Sequence, residues 1–283
     1  MIKIDGQIID IGSYPDSTML VKYVPTMKEY DYQEATIYWY YENDIETLAL
    51  IYLVKHLRSH GIDDIRLYMP YIPNARMDRV KNEEDVFTLK YFAELINDLH
   101  FTSIDVLDPH SSVSEAIINN LHIIKPDKYI NEALNKIGVE ELNYISVDFQ
   151  SKPKTKYTLT MFFPDEGAMK RYASKSRLPY AFGIKKRNWE TGVIEGLDVA
   201  GEIDQIVGRD ILIVDDICSK GGTFYHSAKK LKELGANKIY LYVTHCENTI
   251  LEGELLTSGL VEKVYTTNSI FTKEHDMIEV FEL

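Results

Sequence analysis

Short apolar runs bounded by turn residues alternate along this chain with longer segments of helical period, and this alternation restricts the fold more than any single residue does. Ala35–Tyr41 (ATIYWYY) predicts a strand. Ile45–Gly61 puts Ile45, Leu48, Ala49, Tyr52, Leu53 and Leu57 along one stripe and stops at glycine, which predicts a helix. Ile65–Met69 and Ser103–Leu107 predict further strands, with a helix over Thr88–Leu99 between them. The second half repeats the rhythm: strands at Leu159–Phe163, Tyr180–Ile184, Asp210–Val214 and Lys238–Thr244, and a helix over Phe224–Leu234 that ends at Gly235. Strand followed by helix, repeated, is the pattern of an α/β fold with mainly parallel sheets and crossover helices. Lys125–Glu141, which carries Pro126 and a polar helical stretch, is the natural divide, giving lobes of 1–130 and 131–283.

Composition narrows the function classes. Apolar residues make up 45% of the 283, enough to bury a substantial core. The formal net charge of −13 argues against nucleic-acid and anionic-membrane partners, which need a basic surface to displace counterions. Cys218 and Cys246 are the only cysteines, so no disulfide framework is expected and a reduced, cytoplasmic setting fits. No signal-peptide pattern opens the sequence, and no run of about 18 apolar residues suggests a membrane span.

The segment Ile211–Thr223 (ILIVDDICSKGGT) carries the most chemistry. Four apolar residues predict a buried strand, with Asp215 and Asp216 emerging at its carboxyl end, where ligands sit in open α/β sheets. The backbone of Gly221, Gly222 and Thr223 can approach a phosphate closely, and a helix N-terminus with unpaired N–H groups follows. Two carboxylates beside an anion cradle would repel a bare phosphate, so they point to ribose hydroxyls or a metal. In the first half, Tyr68–Lys81 (YMPYIPNARMDRVK) concentrates Arg76, Asp78 and Arg79 after a predicted strand. Alone, such a segment is either a solvated loop with an internal ion pair or a phosphate clamp built from forked arginine donors.

In combination these motifs resemble the ribose-phosphate pyrophosphokinase family, whose two lobes share the type I phosphoribosyltransferase fold. The resemblance implies two phosphoribosyltransferase-like lobes, each a mainly parallel sheet flanked by helices. It implies that Asp215 and Asp216 hold ribose hydroxyls while Ser219, Lys220, Gly221, Gly222 and Thr223 hold the 5-phosphate, and that Arg76, Asp78 and Arg79 lie at an ATP site. Three further matches follow in the family's order. Leu107-Asp108-Pro109-His110 implies that His110 binds catalytic magnesium, although a lone histidine after a strand is also a common structural feature. Phe163-Pro164-Asp165-Glu166-Gly167 puts Asp165 near metal or ribose, and Ile184-Lys185-Lys186-Arg187 places a catalytic Lys186, with Arg187, on a mobile loop. Ser13–Tyr23 resembles a hairpin that packs on adenine, giving Tyr14 a stacking role and Asp16 a polar contact; in the family this hairpin reaches a neighbouring subunit, which implies a homo-oligomer.

The implied reaction is attack of a ribose C1 hydroxyl on the β-phosphorus of Mg-ATP, with release of AMP, in which Lys186, Arg187 and Arg76 stabilise the developing charge. The family's Asp-Thr-Gly-Gly-Thr loop is Ser219-Lys220-Gly221-Gly222-Thr223 here, so one acidic side chain is lost and a lysine gained. That change leaves two acceptors open: ribose 5-phosphate, or ADP-ribose, whose product would serve NAD salvage. Short divergent relatives of this look are typical of large phages, where the setting would be the host cytoplasm. A nucleobase phosphoribosyltransferase and a non-catalytic regulatory relative are the competing classes.

Overall fold

The structure, a computed structural model, describes residues 1–25, 34–139, 159–187 and 194–283. Its contacts divide into two units, Met1–Lys125 and Pro126–Leu283.

The first unit runs β1 (Ile2–Ile4), β2 (Gln7–Ile8), β3 (Ile11–Ser13), β4 (Met19–Val21), β5 (Glu34–Trp39), α1 (Ile45–Ser59), β6 (Asp64–Tyr68), α2 (Thr88–Asp98), β7 (Ser103–Leu107), α3 (Val113–Ile117) and β8 (Leu121–Ile124). Its main sheet has the order β2-β1-β5-β6-β7-β8. From β5 to β8 every pairing is parallel, while β1 pairs antiparallel with both β5 and β2. β3 and β4 form a separate two-stranded hairpin. Helix α1 departs from the expected stripe. Ala49, Leu53 and Leu57 are buried as anticipated, but Ile45, Leu48 and Tyr52 are 62%, 43% and 49% exposed. The buried face is completed by Leu50, Val54 and the charged Glu46. Glu46 can be inside because its Oε2 accepts from the Trp39 indole at 3.0 Å and from the Glu42 amide at 2.9 Å. The helix is apolar on nearly all sides, so spacing alone did not select its inner face.

The second unit runs α4 (Asp127–Ile137), β9 (Leu159–Phe163), α5 (Glu166–Tyr172), β10 (Tyr180–Arg187), β11 (Ile194–Gly201), β12 (Asp210–Cys218), α6 (Gly222–Glu233), β13 (Ile239–Cys246), β14 (Lys263–Thr267) and β15 (Ile278–Phe281). The sheet order is β11-β10-β9-β12-β13-β14-β15, parallel throughout except for the β10–β11 pair. Strand β9 is buried at all five positions, as a central parallel strand covered on both faces requires.

Two elements are longer than their sequence predicted. β12 continues beyond Val214 to Cys218, so Asp215 and Asp216 lie within the strand, with Asp215 opposite Val243 and Ile217 opposite His245 on β13. β10 continues to Arg187, pairing Lys186 with Gly196 across a register shift between Lys186 and Arg187. Lys185, Lys186 and Arg187 therefore sit on a strand rather than the mobile loop expected of them. Charged residues have poor intrinsic strand preference, and in both places the neighbouring strand supplies the ladder that overrides it. Helix α6 begins at Gly222, two residues before the expected Phe224.

Candidate functional site

In the first unit the candidate residues lie on loops at the carboxyl ends of β6 and β7. Backbone bonds stitch these ends together: Met69 N donates to Asp105 O at 2.9 Å and Leu107 N to Pro70 O at 3.1 Å. Two non-glycine residues flanking the predicted motifs have left-handed backbones, Asn74 at φ 64° and Asp108 at φ 43°, a conformation that costs energy and recurs at functional loops. Asp78 is 6% exposed and accepts from Arg79 Nε at 2.9 Å. Burial by itself would push the Asp78 carboxyl up, but the Arg79 hydrogen bond, with the charges of Arg79 and His110, outweighs it and holds the carboxyl below its usual range. The structure thus brings Asp78, Arg79 and His110 together, with Arg76 exposed on the same segment.

Tyr14 and Asp16 lie in the turn between β3 and β4. Tyr14 is 52% exposed. Asp16 Oδ1 accepts from the Thr18 amide at 3.0 Å and the Thr18 hydroxyl at 2.7 Å, and these bonds lower its carboxyl from the ordinary value. Asp16 therefore has a turn-closing role in the hairpin.

In the second unit Asp165, Asp215 and Asp216 gather around the ends of β9 and β12. Asp165 caps α5, its Oδ1 accepting from Ala168 N at 3.1 Å. Asp215 keeps some exposed surface as a residue, but protein surrounds its carboxyl. Burial first, then the charge of Asp216 and more weakly that of Asp165, push the Asp215 carboxyl well above the carboxylate range; the Asp216 amide, donating to Asp215 Oδ1 at 3.0 Å, pulls the other way. Asp216 is 4% exposed, and its Oδ2 is 3.2 Å from Arg171 Nη1 on α5. Arg171 was missed in the sequence because it precedes Asp216 by 45 positions; its only local signal is that it follows Asp165 by six residues.

The loop after β12 joins strand to helix without a side-chain cap. Gly221, at φ 78°, is the N-cap of α6, so the amides of the first helical turn have no side-chain acceptor from the capping position. Ser219 donates its hydroxyl to Glu247 Oε2 at 2.8 Å, and Lys220 Nζ is 3.0 Å from Glu252 Oε2. Backbone positions of Lys186 and Arg187 are fixed in β10, while their side chains, like residue 188 beyond them, lie outside the described part of the structure. Among the described residues, no group of three or more His, Cys, Asp or Glu side chains is arranged to hold a metal ion, and no helix is long and apolar enough to cross a membrane.

Residues 194–280 match the Phosphoribosyl synthetase-associated domain. The chain is 28% identical to a ribose-phosphate pyrophosphokinase of Thermococcus kodakarensis, over 93% of this chain and 86% of that protein. It is 29% identical to a ribose-phosphate pyrophosphokinase of Pyrococcus abyssi, over 94% of this chain and 85% of that one. Its fold is that of the phosphoribosylpyrophosphate synthetase of Mycobacterium smegmatis, with a TM-score of 0.74 at 16% identity, covering 97% of this chain and 86% of that structure. Over most of its length the chain is similar to ribose-phosphate pyrophosphokinases, and residues 194–280 carry the Phosphoribosyl synthetase-associated domain.

Proposed function

We propose that the protein transfers the β,γ-diphosphate of Mg-ATP to the C1 hydroxyl of a ribose-5-phosphate moiety and releases AMP. The observation that carries this reading is the end of β12, where a buried acid pair runs directly into a left-handed glycine and an uncapped helix N-terminus. Acids suit ribose hydroxyls and helix amides suit a phosphate, so one stretch of chain offers both halves of a ribose phosphate their complement. Asp216, paired with Arg171, would accept a hydrogen bond from one ribose hydroxyl, and Asp215 would receive the neighbouring hydroxyl. On the nucleotide side, Arg76 and Arg79 would pair with phosphate oxygens, with Asp78 anchoring Arg79 and its hairpin-tip position letting Tyr14 stack on adenine. The exposed tip also supports the homo-oligomer implied by the resemblance.

Magnesium takes hard oxygen ligands and is commonly held through one or two carboxylates together with substrate phosphates. Asp165 and Asp215 fit that donor set, because their mutual repulsion is what a cation relieves; His110 is the corresponding candidate in the first unit. When bound, the ion supplies charge neutralisation on the diphosphate. In the transfer, the C1 oxygen forms a bond to the β-phosphorus while the bond from that phosphorus to the α,β-bridging oxygen breaks. AMP leaves with that electron pair, and the hydroxyl proton passes to solvent. The chain's own part is alignment of the two reactants, and charge stabilisation assigned to Lys186, Arg187 and Arg76.

A second acceptor, ADP-ribose, is favoured by one observation: Lys220 is 66% exposed and its partner Glu252 61% exposed, so the pair is weakly held and the lysine can turn to a second phosphate. AMP release from Mg-ATP with ribose 5-phosphate or ADP-ribose as separate acceptors, products identified by mass, decides the matter. AMP with ribose 5-phosphate alone assigns phosphoribosyl-diphosphate synthesis, and AMP with ADP-ribose alone assigns the NAD-salvage reaction. No AMP with either overturns the proposal in favour of a non-catalytic relative.

A further inference from the structure

Three successive residues of the candidate phosphate loop each meet one short segment that follows β13. Ser219 donates to Glu247 Oε2 at 2.8 Å, and Thr249 donates to the same oxygen at 3.1 Å. The Glu247 amide in turn donates to Cys218 O at 2.8 Å, tying the start of the segment to the start of the loop. Lys220 meets the segment twice. Its ammonium pairs with Glu252 at 3.0 Å, and its carbonyl lies so close to Gly253 that a Cβ there would stand 1.8 Å from the oxygen. Gly221 completes the series: a Cβ on it would sit 3.1 Å from Leu255 Cβ and Cδ2, and Leu255 is fully buried.

We propose that the segment from Glu247 to Leu255 is a brace that presets the Ser219–Thr223 loop, with Glu247 a positioning residue for the acceptor's phosphate. The proposal rests on the reading of that loop as the acceptor's phosphate site. Backbone amides bind an anion well only if the loop does not have to be ordered at the moment of binding. A polar surface loop orders itself poorly, and the brace supplies what the loop sequence lacks. The loop carries no acid of its own, and the carboxylate that meets Ser219 at hydrogen-bond distance arrives from 28 residues further along the chain. Because the Ser219 hydroxyl spends its single proton on Glu247, it is not the donor offered to a ligand there; the loop's amides are, and the brace fixes their directions, with the Lys220 ammonium and the Thr223 hydroxyl as the loop's remaining side-chain donors.

The test compares Glu247→Ala and Glu247→Gln with the unmodified chain. The amide oxygen of glutamine can accept from both hydroxyls, so Glu247→Gln should retain most of the function, whereas alanine removes the acceptor. For Glu247→Ala the KM for the acceptor should rise about tenfold, the loss expected of one hydrogen bond to a charged group, with the KM for ATP within about twofold. Amide hydrogen exchange over Ser219–Thr223 should quicken about tenfold in Glu247→Ala and not in Glu247→Gln, with the rest of the second unit unchanged. Exchange needs no turnover, so a chain that releases no AMP would defeat the functional reading while the brace is still judged. Unchanged exchange in the loop, an equal rise in both KM values, or faster exchange throughout the second unit would overturn the brace.

Discussion

In the first unit, the segment around Arg76–Arg79 carries its cations outward and its one acid inward: Arg79 is 66% exposed, while Asp78 beneath it is 6% exposed. In the second unit the order is reversed. The loop after β12 has no arginine, its acids lie on the strand behind it, and its shape is set by glycines packed against a neighbouring segment. The acids titrate in opposite directions as a result. Asp78 is held low by Arg79 despite burial, and Asp215 is pushed high by burial and by Asp216. The contrast teaches that a chain with a net charge of −13 holds two different arrangements that would suit a phosphate. One gathers movable cations over an anchoring acid, and the other presents fixed backbone amides where fixed geometry substitutes for charge.

The largest effect that would break this comparison belongs to the first unit. Arg76→Ala should lower AMP release by about 10²–10³-fold, as loss of a positioned guanidinium does in phosphoryl transfer, with the melting temperature nearly unchanged because the side chain is exposed. Steady-state assays on the purified variant check it. A loss under about fivefold would show that charge in the first unit is not what stabilises transfer.

Next in size is Gly253→Ala in the second unit. A Cβ placed 1.8 Å from the Lys220 carbonyl forces the backbone of the brace or the loop to move. Overpacking of this kind costs about 1–3 kcal/mol, so thermal unfolding should shift down by roughly 2–10 °C, with a higher acceptor KM. An unchanged melting temperature would show that the loop yields easily, and the claim of fixed geometry would fail.

These features were unequally legible in the sequence. Ser103–Leu107 and Leu159–Phe163 were read to the residue, because each is a short apolar run closed by turn residues. The acid pair and glycine loop were legible because strand, acids, turn and helix follow one another within 13 positions. What escaped came from distant chain. Arg171 reaches Asp216, Glu247 reaches Ser219, and Glu252 reaches Lys220, each pairing made only when strands align in register. The inner face of α1 escaped for a related reason: a buried Glu46 is acceptable because the Trp39 indole of β5, the Glu42 amide and the Met1 ammonium meet its carboxylate, all of them outside the helix. Local pattern reports which residues can be buried; partners contributed by other elements decide which are.

The opposite titration of the two acids yields the third prediction. Asp215 keeps its proton in the folded chain to a higher pH than in the unfolded chain, so its contribution is intact at low pH and is lost as pH rises from about 4 through the raised value. Asp215→Asn cannot titrate and keeps the acceptor oxygen for the Asp216 amide. It should match the unmodified chain near pH 4 and exceed it in melting temperature near pH 8, while losing acceptor binding. Asp78 has the reverse sign, its contribution being present above the ordinary carboxylate value and lost as pH falls. Asp78→Asn should therefore be less stable near pH 7, by about 1 kcal/mol given the exposure of Arg79, and converge with the unmodified chain at low pH. Melting curves across this range for both variants check the crossing; parallel curves would remove the electrostatic half of the comparison.

The smallest effect is also the one that sharpens the acceptor. Lys220 and Glu252 are both about two-thirds exposed, and ion pairs of that kind contribute about 0–1 kcal/mol. Lys220→Ala should therefore leave the melting temperature within about 2 °C, since the carbonyl packed on Gly253 and the glycine packed on Leu255 are unaffected. Any change in acceptor KM then reports contact with ligand rather than loss of loop shape. If the proposed site is right, the phosphate of ribose 5-phosphate would lie on the amides of the first turn of α6, and removal of an exposed lysine beside it should raise KM by about threefold, a screened long-range term. ADP-ribose carries a second phosphate that must leave the loop along its open side, where Lys220 is the loop's only cation. For that acceptor the rise should be about tenfold or more, as for a direct charge-assisted contact. Equal rises for both acceptors would mean that Lys220 supplies only general positive potential, and the loop's departure from its relatives would then concern shape alone.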